Sequence, residues 1–186
     1  MRYLVRMDPS RGLDGTFLPS LRFVARSLGV DVRNPKRISY GALEFDAFSP
    51  SKADLEMFLA AIEPLGKLEF VSDLNIAPPH MSDEQLFQEA RRYFNSERYW
   101  ECHEVLERAW RFMRGKEKLH VQGIILICAA FVHHQKGEGE VALGVLDRAA
   151  KQLDFQTRFF HGIDAVSLRL RVERIVSTGK FEAFRI

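Results

Sequence analysis

The sequence predicts an α+β protein: a ferredoxin-like βαββαβ sandwich followed by an all-α antiparallel bundle of about five helices. In residues 1–74, short stretches of alternating apolar and polar residues are interspersed with apolar residues at helical spacing. After the Pro78-Pro79 pair, every apolar segment follows helical spacing. We therefore expect an α+β domain over residues 1–75, a linker over 76–81 and a helical domain over 82–186.

The first half reads as six elements in the order strand, helix, strand, strand, helix, strand. Tyr3, Val5 and Met7 alternate with Leu4 and Arg6, which predicts a half-buried strand. The later elements are a helix over 17–28, a strand over 30–40 interrupted at 34–35, a strand over 42–48, a helix capped by Ser51 and a strand over 67–72.

The second half carries helix start and stop signals in sequence. Ser82 and Gln85 form a capping box that opens the first helix, which runs through residue 94. The other predicted helices cover 99–114 with Gly115 as the stop, 117–136 with Gly137 as the stop, 141–153, and a last segment capped by Asp164 and running to 176. Short connections between such helices favour antiparallel neighbours.

Composition restricts the class of protein. The net charge is only +2, which does not by itself indicate a nucleic-acid partner. The two cysteines, Cys102 and Cys128, lie in apolar helical patterns, so we predict that they are buried thiols of a protein in a reducing compartment. Residues 1–8 lack the apolar core of a signal peptide, and the longest apolar run, 123–132, is too short to span a membrane. We therefore predict a cytoplasmic protein without a membrane partner.

The most informative stretch is residues 99–110, because it combines a histidine, several glutamates and two tryptophans in one predicted helix. Residues three and four apart share a helix face, so His103, Glu107, Trp110 and Arg114 form a polar and aromatic stripe. Polar groups beside a core-facing stripe belong either to a satisfied buried network or to a site.

These residues also carry a family resemblance. The segments Phe94 to Tyr99, His103-Glu-Val-Leu-Glu107 with Trp110, Gln122-Gly-Ile-Ile with His133, and Ala142 to Ala149 resemble the domain-of-unknown-function 309 family. The resemblance covers about residues 86–154 and implies a small helical bundle. It implies no catalytic role or substrate, and it does not extend to residues 1–80.

The His103-Glu-x-x-Glu107 pattern differs from the zinc-protease motif, which needs a second histidine where this chain has Glu107. A metal bound by His103 and Glu107 would need a further ligand from His120, His133 or His134 on the next helix. Glu117 and His120 have the spacing found in di-iron bundles, but that helix offers few other carboxylates. We assign no metal and no cofactor.

The architectural alternative uses the same groups. Glu107 can accept a hydrogen bond from His103, and the indole N–H of Trp110 can reach Gln122 or a backbone carbonyl. Gly123 would let the second and third helices of the bundle approach closely. The alternative hypothesis is that the same part of the bundle forms a small-ligand pocket. Its lining residues would be His103, Glu107, Trp110, Gln122 and His133.

Two basic runs raise a nucleic-acid alternative, one over residues 108–118 and one over 169–180. Such runs are commonly solvated faces with glutamate partners at helical spacing. On the predicted sheet, Glu44 and Asp46 would repel a phosphate backbone, so the sheet is not expected to bind RNA. It can instead dock onto the helical half or onto another copy of the chain.

The sequence therefore favours a cytoplasmic two-domain binding or scaffold protein with a His/Glu/Trp cluster in its bundle. The first alternative is an enzyme or metal-binding protein in which His103 acts as a base oriented by Glu107. The second is phosphate or nucleic-acid binding through the basic helix faces.

Overall fold

The computed structural model describes residues 1–9, 12–75, 81–154 and 158–186. The chain separates into two units, residues 1–79 and 80–186. Apart from Met81, the predicted linker over 76–81 lies outside the described residues.

Among its described residues, the first unit contains a four-stranded antiparallel sheet and two helices. The strand order is β2-β3-β1-β4, and each neighbouring pair is antiparallel. The predicted α+β class, with a sheet in the first half and helices in the second, is confirmed. The elements are β1 (Arg2–Pro9), α1 (Phe17–Ser27), β2 (Asp31–Arg37), β3 (Leu43–Phe48), α2 (Lys52–Ile62), a short 3-10 turn (Glu63–Leu65) and β4 (Gly66–Asp73).

One face of this sheet forms the apolar core with the two helices. Val5 and Phe45 from the central strands pack with Leu21 of α1 and Phe58 of α2. The Phe45 and Phe58 rings meet edge to face, with 6.3 Å between their centroids. Each such side chain contributes about 1.5–3 kcal/mol when it is fully buried.

The expectation that β1 is only half-buried is wrong. Leu4 and Arg6, on the face opposite the helices, are 2% and 5% exposed. Arg6 can be buried because it donates hydrogen bonds to Glu44 of β3 from Nη2 at 2.8 Å and from Nε at 3.2 Å. The alternation predicted the two faces of β1 correctly but not the burial of its charged face.

The interruption predicted in the second strand is confirmed. The pairing of β2 with β3 shifts between Arg33 and Lys36, at the Asn34-Pro35 pair. Proline has no backbone N–H to donate to a sheet ladder, so a shift in register at this point is expected.

The second unit contains five helices among its described residues, together with a short two-stranded hairpin over 159–164. The prediction that this half is all-α is therefore wrong at the hairpin, which is too short to show strand alternation in the sequence. The capping box and the cap predicted for the first and last of them are confirmed: Ser82 and Gln85 bond reciprocally, and Asp164 Oδ1 accepts the Ser167 N–H at 3.0 Å. The elements are α3 (Asp83–Asn95), α4 (Tyr99–Trp110), α5 (Gly115–Gln135), α6 (Gly139–Ala150), β5 (Phe159–Phe160), β6 (Ile163–Asp164) and α7 (Ala165–Thr178).

The predicted extension of the second bundle helix to Arg114 is wrong. This helix, α4, ends at Trp110, and Gly115 begins α5 instead of stopping α4. The N–H groups of Phe112 and Met113 bond to carbonyls three residues back, at 3.1 and 3.3 Å. These tight turns direct Met113 into the core, where it is buried, so core packing overrides the helical pattern.

Helix α5 is apolar on nearly all sides because it packs against both α4 and α6. The two cysteines lie at the α4–α5 contact, with Cys128 Sγ 3.2 Å from Cys102 Sγ, and both are buried free thiols as predicted. Burial raises the pKa of the Cys102 thiol well above its usual value. No helix in the described part of the chain is long and apolar enough to cross a membrane.

Candidate functional site

The predicted stripe on α4 is half-buried at the surface of the second unit. The side chains of His103 and Glu107 are 18% and 45% exposed, and His103 Nε2 lies 3.9 Å from Glu107 Oε1. That distance exceeds a hydrogen bond, so the predicted bond between them is not formed. Trp100 stacks nearly parallel on the His103 ring, with 5.4 Å between the ring centroids.

Trp110 does not make the hydrogen bond expected of it. Its Nε1 is buried and has no hydrogen-bond partner among the described residues, so the predicted bond to Gln122 or to a backbone carbonyl is absent there. His103 Nδ1 is also buried and has no hydrogen-bond partner among the described residues. The Nζ of Lys118, at the start of α5, instead lies over the Trp110 ring, 4.0 Å from its centroid.

The five candidate residues do not all converge on one point. Gln122 and His133 both lie on α5, 11 positions apart in the sequence, and are therefore separated by about 16 Å along the helix axis. His133 Nδ1 contacts the carboxylate of Glu138 just beyond the end of α5. His103 and Trp110, seven positions apart on α4, are likewise separated by about 10 Å along that helix. Ligand binding by these residues stays a prediction.

Gly123 permits a close approach, but to a different helix from the one predicted. A Cβ at Gly123 would lie 2.9 Å from Leu153 Cδ2 and 3.5 Å from the carbonyl oxygen of Ala149. The segment that approaches Gly123 is therefore the end of α6, whereas the prediction placed α4 there. The small residue marks a close contact but does not identify its partner.

The residues weighed for metal binding are engaged elsewhere. His120 Nε2 lies 2.9 Å from the carbonyl oxygen of Asp154, and Glu117 Oε1 lies 2.8 Å from His161 Nε2. Within the described ranges, no group of three or more His, Cys, Asp or Glu residues is placed to hold a metal ion.

A buried charge cluster in the first unit was not predicted from the sequence. Glu44 Oε2 accepts from Arg6, and Glu44 Oε1 lies 3.6 Å from Lys36 Nζ. Burial acts to lower the pKa of Arg6, but the charge and hydrogen bonds of Glu44 together raise it. The signal was present, because Arg6 and Glu44 each interrupt an apolar strand, but the pairing register is needed to bring them together.

A cleft of about 580 Å³ in the second unit was not predicted from the sequence either. It lies between α3 and the β5–β6 hairpin, and its lining residues are Glu84, Phe87, Gln88, Arg91, His161 and Gly162. Arg91 and His161 are 70 positions apart in the sequence, so no local motif links them. A second cleft, of about 600 Å³, lies between α2 and β4 in the first unit.

The two basic runs differ in how their charges are paired. In the last helix, Arg169 Nε lies 2.7 Å from Glu173, and Arg174 lies 3.7 Å from Glu182. Around the α4–α5 turn, by contrast, Arg111, Arg114 and Lys116 have no ion-pair partner in the part of the chain that the structure describes. The predicted pairing of basic residues with glutamates is therefore seen on α7 and not at this turn.

Comparison with known proteins agrees with the resemblance seen in the sequence. Residues 87–145 match the family model described as Domain of unknown function (DUF309), a range that includes all five candidate residues. A conserved hypothetical protein from Thermus thermophilus, known from its crystal structure, is 30% identical over 50% of this chain and 96% of its own, with a TM-score of 0.44. No curated protein matches the chain. By the family match over 87–145, the helical half of this chain belongs to the domain-of-unknown-function 309 family.

Proposed function

We propose that this protein is a binding protein that recognises an acidic segment of a protein partner. The contact surface would be the α4–α5 corner, which consists of Trp110, Arg111, Phe112, Arg114, Lys116, Lys118 and Leu119. The observation that carries the proposal is that this corner exposes large apolar side chains beside cations that form no ion pair with any described residue.

The apolar part of the corner is exposed to an unusual degree. Phe112 is 82% exposed and Leu119 is 56% exposed, although both are large hydrophobic side chains. Burying either one against a partner would contribute about 1.5–3 kcal/mol. Aromatic residues and arginine are enriched in protein interfaces, and this corner combines the two.

The charges favour an acidic partner. Arg111, Arg114 and Lys116 lack ion-pair partners among the described residues, so their charges are free to pair with carboxylates of another molecule. Glu104 and Glu107 lie on the adjacent helix and would repel a long phosphate backbone. A short acidic protein segment with an apolar residue therefore suits the corner better than nucleic acid does. Nucleic acid is the second candidate, because the same cations could bind its phosphates.

The unbonded nitrogens of α4 support a binding role over an architectural one. A buried polar group without a partner costs about 1–3 kcal/mol, and Trp110 Nε1 and His103 Nδ1 both lack one among the described residues. A carbonyl or carboxylate of a partner could accept from Trp110 after a side-chain rotation. The enzyme alternative draws less support, because His103 and Glu107 are not hydrogen-bonded to each other.

The first half is proposed to be a separate ferredoxin-like domain. The strand order β2-β3-β1-β4, all antiparallel, with α1 and α2 between successive strands, supports this topology. The division into residues 1–79 and 80–186 supports the proposed domains over 1–75 and 82–186.

Fluorescence anisotropy of a labelled hexapeptide with five glutamates and one central leucine tests the proposed surface. We expect saturable binding to the full chain, weakened about tenfold or more in Phe112→Ser, because about 1.4 kcal/mol corresponds to tenfold in affinity. Phe23→Ser is the matched control, because Phe23 is a 76% exposed phenylalanine on α1. It should bind like the wild type.

Two results would contradict the proposal. One is equal binding by the Phe112→Ser and Phe23→Ser variants, which would exclude the corner. The other is tighter binding of a labelled oligothymidylate than of the peptide, with a steep dependence on salt, which would support the nucleic-acid alternative.

A further inference from the structure

We propose that the cleft between α3 and the β5–β6 hairpin binds a small molecule through its oxyanion, a carboxylate or a phosphate, with Arg91 as the principal contact. The cleft volume of about 580 Å³ lies within the range of about 300–1,000 Å³ typical of small-molecule sites.

Arg91 is a half-buried cation for which the described part of the chain supplies no anion. Its Nε is buried and unbonded, and no described residue forms an ion pair with its guanidinium. The neighbouring Arg92 differs, because its Nε lies 2.7 Å from Glu89 Oε2. A partly desolvated guanidinium is stabilised by a bound oxyanion, which it can contact through two parallel N–H groups.

The hairpin turn positions this guanidinium in the cleft. The turn consists of His161 and Gly162, with φ values of +48° and +77°, the pattern of a type I′ turn. A Cβ at residue 162 would lie only 2.6 Å from Arg91 Nη1. Glycine at this position therefore allows both the turn and the close packing of the guanidinium against it.

His161 forms a fixed wall beside Arg91. Its ring lies parallel to that of Phe87 with 3.8 Å between centroids, and its Nε2 lies 2.8 Å from Glu117 Oε1. Since Nε2 is engaged by Glu117, Nδ1 is the ring nitrogen left for a ligand. Two contacts thus hold the imidazole in place before any ligand binds, which lowers the entropic cost of binding.

The other end of the cleft limits the kind of oxyanion. Glu84 also lines it, seven residues before Arg91 on α3 and therefore about 10 Å away along the helix. This carboxylate would repel a second negative group, whereas the Gln88 amide between the two can donate or accept. The arrangement fits a small molecule with one oxyanion, and a hydrogen-bond donor toward Glu84, better than a polyanion.

Titration with inorganic phosphate and with acetate, at constant ionic strength, tests the site. Binding is followed by the NMR signal of the Arg91 Nε–Hε group and by the melting temperature. We expect at least one probe to saturate the Arg91 signal and to raise the melting temperature. Saturation by phosphate alone, by acetate alone or by both would identify the oxyanion, and saturation by neither would refute the proposal.

Substitutions assign the binding to Arg91. Arg91→Met should weaken it, as followed by the melting temperature, by about ten- to a hundredfold, the loss expected for a hydrogen bond to a charged group. Arg91→Lys should weaken it less. Arg92→Met is the matched control and should bind like the wild type. Unchanged affinity in Arg91→Met, whose fold is checked by circular dichroism, would overturn the assignment.

Discussion

Glu44→Gln should strongly destabilise the first half of the protein. The Glu44 side chain is fully buried, and it lies between Arg6 and Lys36, which are themselves 5% and 8% exposed. The glutamine keeps the size of the side chain and can still accept a hydrogen bond from Arg6. It removes the negative charge, so that two buried cations remain without their carboxylate.

The expected loss is about 3–5 kcal/mol, because breaking a buried ion pair leaves an uncompensated charge away from water. A domain of ordinary stability has about 5–15 kcal/mol in total, so the change removes a large share of it. Since each 1.4 kcal/mol corresponds to a factor of ten, protection of the sheet amides should fall between about a hundredfold and a few thousandfold.

Native-state hydrogen exchange of the β1 and β3 amides measures this effect directly, because these strands carry Arg6 and Glu44. Tryptophan fluorescence during urea unfolding follows the second half separately, because Trp100 and Trp110 are the only tryptophans and both lie in α4. The two measurements distinguish a loss in the sheet from a loss in the bundle.

Asp31→Asn is the matched control, because it also removes a carboxylate paired with an arginine of the same sheet. Asp31 Oδ2 lies 2.6 Å from Arg33 Nε, but both side chains are more than half exposed. We expect a loss of less than about 1 kcal/mol from this exposed pair. If Glu44→Gln lowered amide protection no more than Asp31→Asn does, the reasoning from burial would be refuted.

Trp110→Phe should change the free energy of unfolding by less than about 1 kcal/mol, because the indole N–H that it deletes has no partner among the described residues. A loss of several kcal/mol in urea unfolding would instead indicate that this N–H belongs to a hydrogen-bonded network. Asp164→Asn should keep the cap of α7 but reduce the dependence of stability on acid pH. The backbone N–H of Ser167 lowers the pKa of Asp164 below its unfolded value of about 3.9, so the stabilisation is present above about pH 4 and is lost as the pH falls through the folded pKa. Thermal unfolding of both proteins between neutral and acid pH checks this, and identical acid profiles would contradict it.

Several features of the fold followed from local sequence alone. The Ser82 capping box and the Asp164 cap were predictable because they depend on residues three positions apart, whose geometry is set by the helix itself. The faces of β3 were predictable because side chains alternate strictly along a strand. The end of α4 was not predictable from local sequence. The chain turns to bury Met113 in the core before the helical pattern in the sequence stops.

The sequence by itself determined the class of the longer elements, the sheet and helical halves of the chain and the family of the helical half, because these depend on local periodicity and motif. Only the tertiary structure decided which charges meet. Arg6 meets Glu44 through strand register, and Arg91 comes against Gly162 through the docking of a hairpin on α3. Such contacts join residues tens of positions apart, and their formation depends on packing that no local pattern specifies.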